Sequence, residues 1–366
     1  LRVTSDLRAR TTSAPARRFR TVAAGVAALG LLGGLAACSG SSAAPVASEV
    51  SATPSPTPTP EPTSFFTGLP DVGGPVLAVK LDNTNSALPH LGLNAADVVY
   101  VEQVEGGLTR LAVIFSSKLP KVIAPIRSAR ETDAELLPMY GRIPVAFSGA
   151  VESVHQDVVA AGLIDVSADL GITGYTRMAG RYAPYDLAGD GPALLGRSSK
   201  KVEPKDVGFT FGELPAGGRP VKSVTANFPA AKIGFTYDAD DDRWIYRLNG
   251  SLDQEPGKKP AGASTVIIQY VPIGTAGRVG QGGTPIPFAS SVGKGKALVL
   301  RNGQAFDATW SRKNEKAPTT WQIDGEDVPL QAGQPWVVLA NKNSPATVVK
   351  AKRPAATATP SATPAG

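Results

Sequence analysis

From about residue 65 the chain breaks into short apolar runs separated by turn-forming residues. Residues 76–81, 98–104 and 111–115 are near-continuous apolar runs of strand length. The last two flank Glu105-Gly106-Gly107, a strong turn signal. Residues 122–126 predict a fourth strand. Residues 129–140 predict a helix with Glu131, Asp133 and Glu135 in its first turns, where acids suit the helix dipole. A strand over 143–147 follows. Over 151–163, Val151, Val154, Val158 and Val159 fall on one helical face, closed by Gly162. Strands mixed with helices predict a mixed α/β domain over 65–212.

Beyond residues 214–220, which carry Gly and Pro, the rhythm changes to alternation. Phe235-Thr236-Tyr237 and Trp244-Ile245-Tyr246 flank an acidic tip at 238–243, the pattern of a hairpin. Residues 266–271, 297–300, 308–310, 320–323 and 336–339 continue as strands. Asn302-Gly303 and Asp324-Gly325 stand where tight hairpin turns want them. Residues 277–284 read as a mobile loop. The fold class expected is α+β, with the mixed domain followed by a mostly β domain over 219–350.

Before residue 65 the pattern belongs to targeting. Arg17, Arg18 and Arg20 precede an uncharged apolar run, residues 21–37, that ends in Leu35-Ala36-Ala37-Cys38. This is the layout of a secretory signal over 1–37, closed by a bacterial lipobox with Cys38 as the lipidation site. At 17 residues the run is short of the roughly 20 a spanning helix needs. Two acyl chains on Cys38 suffice for stable anchoring. Residues 38–64 are a Ser/Thr/Pro-rich spacer, with Pro at every second position over 54–62, which favours extended polyproline II. Residues 351–366 repeat that composition and read as a disordered tail.

Composition narrows the function. Of the net charge of +6, residues 1–37 carry +5, from six arginines and Asp6. The remainder carries +1, which removes the argument for nucleic acid. One Cys excludes a disulfide framework, and two His give no basis for a histidine-built metal site; no cofactor is expected.

Several phrases occur in order: Thr67-Gly68-Leu69-Pro70, Ala78 to Asn83, Ala96 to Tyr100, Val104-Glu105-Gly106-Gly107-Leu108-Thr109-Arg110, Pro125 to Arg130, and Arg181-Tyr182-Ala183-Pro184. With the strand around Trp310 they resemble the YerB-like lipoproteins of Gram-positive bacteria, over roughly residues 65–345. The resemblance implies two domains of unknown function and a lipid-anchored location, and supplies no mechanism. The chain departs from the family pattern at Tyr185, where a histidine is expected, and at Ala308, where a glycine is. The resemblance therefore gives no ground for a histidine-dependent reaction.

The candidate chemistry is a set of acids and arginines. Asp82 ends a buried strand, the usual place for functional side chains in α/β sheets. Glu102 and Glu105 are three apart, so on a strand they face opposite sides, though either can partner Asp82. Arg127 and Arg130 bracket a strand-to-helix turn, a setting for a carboxylate or phosphate, or else for an internal ion-pair network with Glu102, Glu105 or Asp133. Arg110 belongs to the same phrases, and Arg177 and Arg181 are candidates to join the site. His90 and His155 read as packed or solvent-facing. Ser198-x-x-Lys201 lacks the companion motifs of penicillin-recognising enzymes.

The reading favoured is a non-enzymatic, lipid-anchored protein on the extracytoplasmic face of the membrane, with an Arg- and acid-lined cleft for a wall polymer or other anionic ligand. Its partners would be the membrane through Cys38 and a cell-wall polymer or envelope protein. The rival is an envelope hydrolase or transferase using Asp82 and a Glu as acid and base. A third reading is a scaffold presenting Trp244, Tyr246 and Trp310 to a partner.

Overall fold

The computed structural model describes residues 62–279 and 283–351. The signal-like run, Cys38, nearly all of the spacer and all but the first residue of the tail lie outside them.

One long mixed sheet organises the described residues. At its centre are β1 (Leu77–Asn83), β2 (Val98–Gln103) and β3 (Thr109–Phe115), with β3 antiparallel to both of the others. On the far side of β1 lie β4 (Pro144–Ala146) and the short strand Ile164–Asp165, both parallel. The strand Pro335–Asn341 runs parallel to β2, with Val99 opposite Trp336 and Val101 opposite Val338. It is followed across the sheet by Thr265–Val271, Gly293–Arg301, Gln304–Arg312 and Thr320–Ile323. Strands covered on both faces and flanked by parallel neighbours read as continuous apolar runs, which is why 98–101 and 266–268 show no alternation.

Each face has its own cover. On one, β1 contributes Leu77, Val79 and Leu81, which pack into a core with the second sheet. That sheet comprises Arg219–Phe228, Ala231–Asp238, Arg243–Leu248 and Thr347–Lys350. Tyr246 lies 4.7 Å from Trp336, ring to ring, and Phe235 packs edge-on against Trp336 at 5.5 Å. On the other face, α1 (Glu131–Leu136) and α2 (Glu152–Ala160) bring Leu136, Val154 and Val158 onto Ala78, Tyr100 and Val145. With α3 (Gly191–Gly196) these are the described α-helices, and all lie in the first half. Mixed strands and few helices make this an α+β fold. Among the described residues no helix is long and apolar enough to cross a membrane.

Several expectations are corrected. Residues 122–126 form isolated bridges from Ile123, Ala124 and Ile126 instead of a ladder strand, and Pro125 has no N–H to donate. The helix expected over 129–140 is α1 followed by a 3-10 turn, Leu137–Tyr140, with Pro138 at the change. On α2, Val154 and Val158 are buried but Val159 is exposed, because a step of five residues leaves the face. Residues 277–279 belong to a two-stranded ribbon, Ile273–Val279 with Pro285–Ala289, and 280–282 lie outside the described residues. Trp244, Tyr246 and Trp310 are buried, so they present no partner surface. The turns at Asn302-Gly303 and Asp324-Gly325 do have positive φ at both residues, as a tight hairpin requires.

Candidate functional site

Strand register builds the site. Arg110 on β3 stands opposite Asp82 on β1 and opposite Glu102 on β2, so the three side chains share one face of the sheet. Past β2 the chain turns through Glu105–Gly107, with Gly106 at φ 67° and Gly107 at φ 72°. A Cβ on Gly107 would stand 2.4 Å from Pro229, so the close approach requires glycine. Because the strand stops at Gln103, strict alternation does not reach Glu105, and its carboxylate returns to the rim of the same face.

Residues 125–127 run along the end of β1, Asp82 N–H donating to Pro125 O (3.0 Å) and Arg127 N–H to Lys80 O (3.0 Å). This brings Arg127 Nε to 2.9 Å from Asp82 Oδ2, and Thr84 donates to Asp82 Oδ1 at 2.6 Å. Arg130 precedes α1, its N–H donating to Asp133 Oδ2 (2.7 Å) and its Nε to Glu105 Oε2 (2.8 Å). At six residues, with its entry capped by Asp133, α1 adds no anion site of its own.

Asp82, Glu105, Arg110, Arg127 and Arg130 therefore line one cleft of about 690 Å³. Its remaining wall comes from the start of α2, the ribbon strand Pro285–Ala289 and Tyr185. Arg110 differs from its neighbours. It is 7% exposed, donates Nη1–H to Ser128 O at 3.0 Å, leaves Nε without a partner, and has no carboxylate at ion-pair distance among the described residues. Burial, with the charges of Arg130 and Arg127, pushes its pKa down to about 10. Burial raises the Glu105 carboxyl, but the hydrogen bond and charge of Arg130 outweigh it and hold the pKa below the ordinary value.

Glu102 does not line the cleft. It is buried beneath with Lys80 and Asp133, all three 0% exposed: Lys80 Nζ bonds Glu102 Oε1 and lies 2.8 Å from Asp133 Oδ1. Burial and the Asp133 charge push the Glu102 carboxyl up to about 7 despite Lys80. Arg177, its side chain exposed, instead pairs with Asp186 at 2.6 Å, and Arg181 donates to the carbonyls of Ala87 and Pro89. Neither lines the cleft.

Sequence reasoning passed over Lys80 and gave Asp133 only a helix-end or ion-pair role. Yet a lysine inside a six-residue apolar run was a signal, since a buried charge demands a partner. Of the two readings open for His90, the packed one holds: it is buried, with Nδ1 at 2.6 Å from Asp253 Oδ2 and Nε2 at 2.6 Å from Asp82 O. His155 pairs with Asp165, Nδ1 to Oδ2 at 2.7 Å. Ser198 Oγ donates to Lys200 O within its own turn. Among the described residues no group of three His, Cys, Asp or Glu is arranged to hold a metal.

Comparison with known proteins identifies the fold and the family. A solved structure, the crystal structure of YerB protein from Bacillus subtilis, superposes with a TM-score of 0.68 at 19% identity, covering 79% of this chain and 99% of that one. That likeness establishes the fold. The Bacillus subtilis (strain 168) protein named "Putative lipoprotein YerB" is 23% identical over 298 residues, 75% of this chain and 83% of that protein. Residues 66–205 match the N-terminal domain, and residues 224–337 the C-terminal domain, of the protein family of unknown function DUF3048. In this chain, segments of both matched regions line the cleft, and the chain belongs to that family.

Proposed function

We propose that this is a membrane-anchored lipoprotein of the cell envelope that binds an anionic ligand, such as a group on a wall polymer, in the cleft between β1, β3 and α2. The single observation that carries the reading is Arg110. A buried guanidinium without a carboxylate partner is costly, on the order of several kcal/mol for an uncompensated ion. Arg127 and Arg130 beside it raise that cost. Three guanidinium groups face two carboxylates across the cleft lining, so one positive charge is left over for a ligand. Arg127 also offers its Nη groups, since only its Nε is engaged among the described residues.

Anchoring rests on the Leu35-to-Cys38 pattern and on the lipoprotein name of the Bacillus relative. Outward orientation follows from the signal-like run that precedes it. The rival, an envelope hydrolase or transferase, needs a protonated acid at the cleft. Glu105 is held toward its ionised form, and Glu102, the carboxyl raised to about 7, is closed off below. Both features favour a clamp over an acid/base pair.

The test is thermal unfolding of the full chain in inorganic phosphate against chloride at matched ionic strength. A ligand at a hundred times its Kd stabilises by about 2.7 kcal/mol. Phosphate should raise the melting temperature of the wild type and leave Arg127→Ala unmoved. If phosphate moves neither protein, or both equally, the cleft is no anion site.

A further inference from the structure

The cleft is far larger than a bare anion needs. Pockets of about 300–1,000 Å³ take whole small molecules, and this one holds about 690 Å³. What lines the space beyond the arginines is of two kinds. Val151 just before α2, with the exposed Leu108 and Val279, makes an aliphatic wall, while Ser128 and Thr284 place hydroxyls among them. At the mouth stands Tyr185, set edge-on against Tyr182 with ring centroids 5.7 Å apart at 90°. Tyr182 is 69% exposed, so this aromatic pair borders solvent where a ligand would enter.

Resting on the anion-binding reading, we infer that the ligand is an anionic sugar: a saturated ring bearing a phosphate or carboxylate, with the charge on the arginines and a C–H face on Tyr185. The lining discriminates among bodies that carry an anion. An acyl chain calls for a continuous apolar channel, and this cleft alternates aliphatic groups with hydroxyls. A nucleobase calls for amide groups to read its polar edge, and among the described residues no Asn or Gln lines the site. A sugar presents hydroxyls around its rim and C–H groups on its faces, which is the mixture found. An aromatic ring with an apolar body and a polar tip suits such a partner. Tyr182 packs edge-on against that ring, an arrangement that exists before a ligand arrives.

The experiment is calorimetric titration of the full chain with five probes: inorganic phosphate, lactate, glucose, glucose 1-phosphate and N-acetylmuramic acid. At least one sugar anion should bind about tenfold tighter than the bare anion of its own charge type, and glucose should not bind measurably. Whether the phosphate or the carboxylate sugar gains more identifies the source of the charge. Tyr185→Ala should abolish the gain and leave phosphate affinity unchanged, and Tyr185→Phe should keep it. The inference is overturned if neither sugar anion exceeds its bare counterpart, or if Tyr185→Ala weakens phosphate as much as the sugar. If phosphate and lactate bind and only the sugar gain is missing, the anion site stands without its sugar. If no anion binds at all, both inferences fall together.

Discussion

His90 and Asp253 lie 163 positions apart in the sequence, yet the imidazole Nδ1 is 2.6 Å from the carboxylate Oδ2. Asp253 Oδ1 also accepts the His90 backbone N–H at 2.9 Å, so one acid holds the residue by ring and main chain. Nε2 faces the carbonyl of Asp82, and a carbonyl only accepts, so Nε2 carries a proton. Nδ1 faces a carboxylate, also an acceptor. In its protonated form the ring therefore bridges two acceptors brought together from the two halves of the sequence. Burial opposes that charge, but Asp253 and the Asp82 carbonyl outweigh it and raise the pKa above 6.5.

The sign of the pH dependence follows. The stabilisation from His90 is fully present below pH 6.5 and is lost as pH rises through the raised, folded-state pKa. Urea midpoints measured from pH 5.5 to 9 should fall across that window. Asp253→Asn should flatten the fall, and an unchanged slope in that variant would exclude the pair as its source.

Lys80 holds two buried acids, and removing it leaves both without a cation. Lys80→Met should cost about 3–5 kcal/mol in equilibrium denaturation. Adding Glu102→Gln should recover part of the loss, because one uncompensated carboxylate is gone. A double variant no more stable than Lys80→Met would show that the charges are not coupled. With its carboxyl raised from 4.5 to about 7, Glu102 also removes stability as pH climbs through that interval, and Glu102→Gln should abolish that earlier slope.

Arg110→Met should separate stability from binding. Methionine fills a similar volume and removes an unpaired buried charge at the loss of one hydrogen bond, worth about 1 kcal/mol. The melting temperature should stay level or rise in chloride, while protection by phosphate disappears. A large drop in melting temperature would mean that Arg110 serves the fold rather than a ligand.

Proteolysis should nick the chain around 200–220 and leave the two fragments together. Val99–Val101 and Trp336–Val338 are partners in one ladder, so a cut peptide bond does not separate them. Co-elution of both fragments in size-exclusion chromatography, with separation only in denaturant, is the expected result.

Cys38→Ala should move the protein from the membrane fraction to the soluble one or leave an unprocessed precursor. Membrane fractionation with processing identical to the wild type would rule out lipidation at Cys38.

Periodicity made the elements legible and left the pairings hidden. The runs at 76–81, 98–104 and 111–115, the 235–246 hairpin and the two Asx-Gly turns all form near where their patterns place them. The strand expected at 122–126 fails because an apolar run bounded by Pro120 and containing Pro125 lacks the donors for a ladder. At the cleft, Asp82, Glu105, Arg127 and Arg130 are legible from residue type and spacing and Arg110 from the phrase it closes; register sets Arg110 beside Asp82, and the turns bring in the rest. Arg177 and Arg181 are candidates only because they fall in a Gly- and Tyr-rich loop, which says nothing about which way their side chains turn. The partner of His90 is not legible because it lies 163 residues downstream, beyond any local pattern.

The strand Pro335–Asn341 sits between β2 and Thr265–Val271, in the middle of the sheet, although it is nearly the last part of the described chain to be made. During synthesis the first half of the protein exists with β2 exposing a bare hydrogen-bonding edge, and that edge closes only after some 230 further residues have followed. Such an edge is a template for pairing with any other extended chain, a neighbouring nascent copy included. A premature stop between residues 323 and 335 therefore removes more than a terminal strand. It leaves two half-sheets with no seam between them, so quality-control factors that recognise open strands are expected to attend this protein until its final stretch arrives.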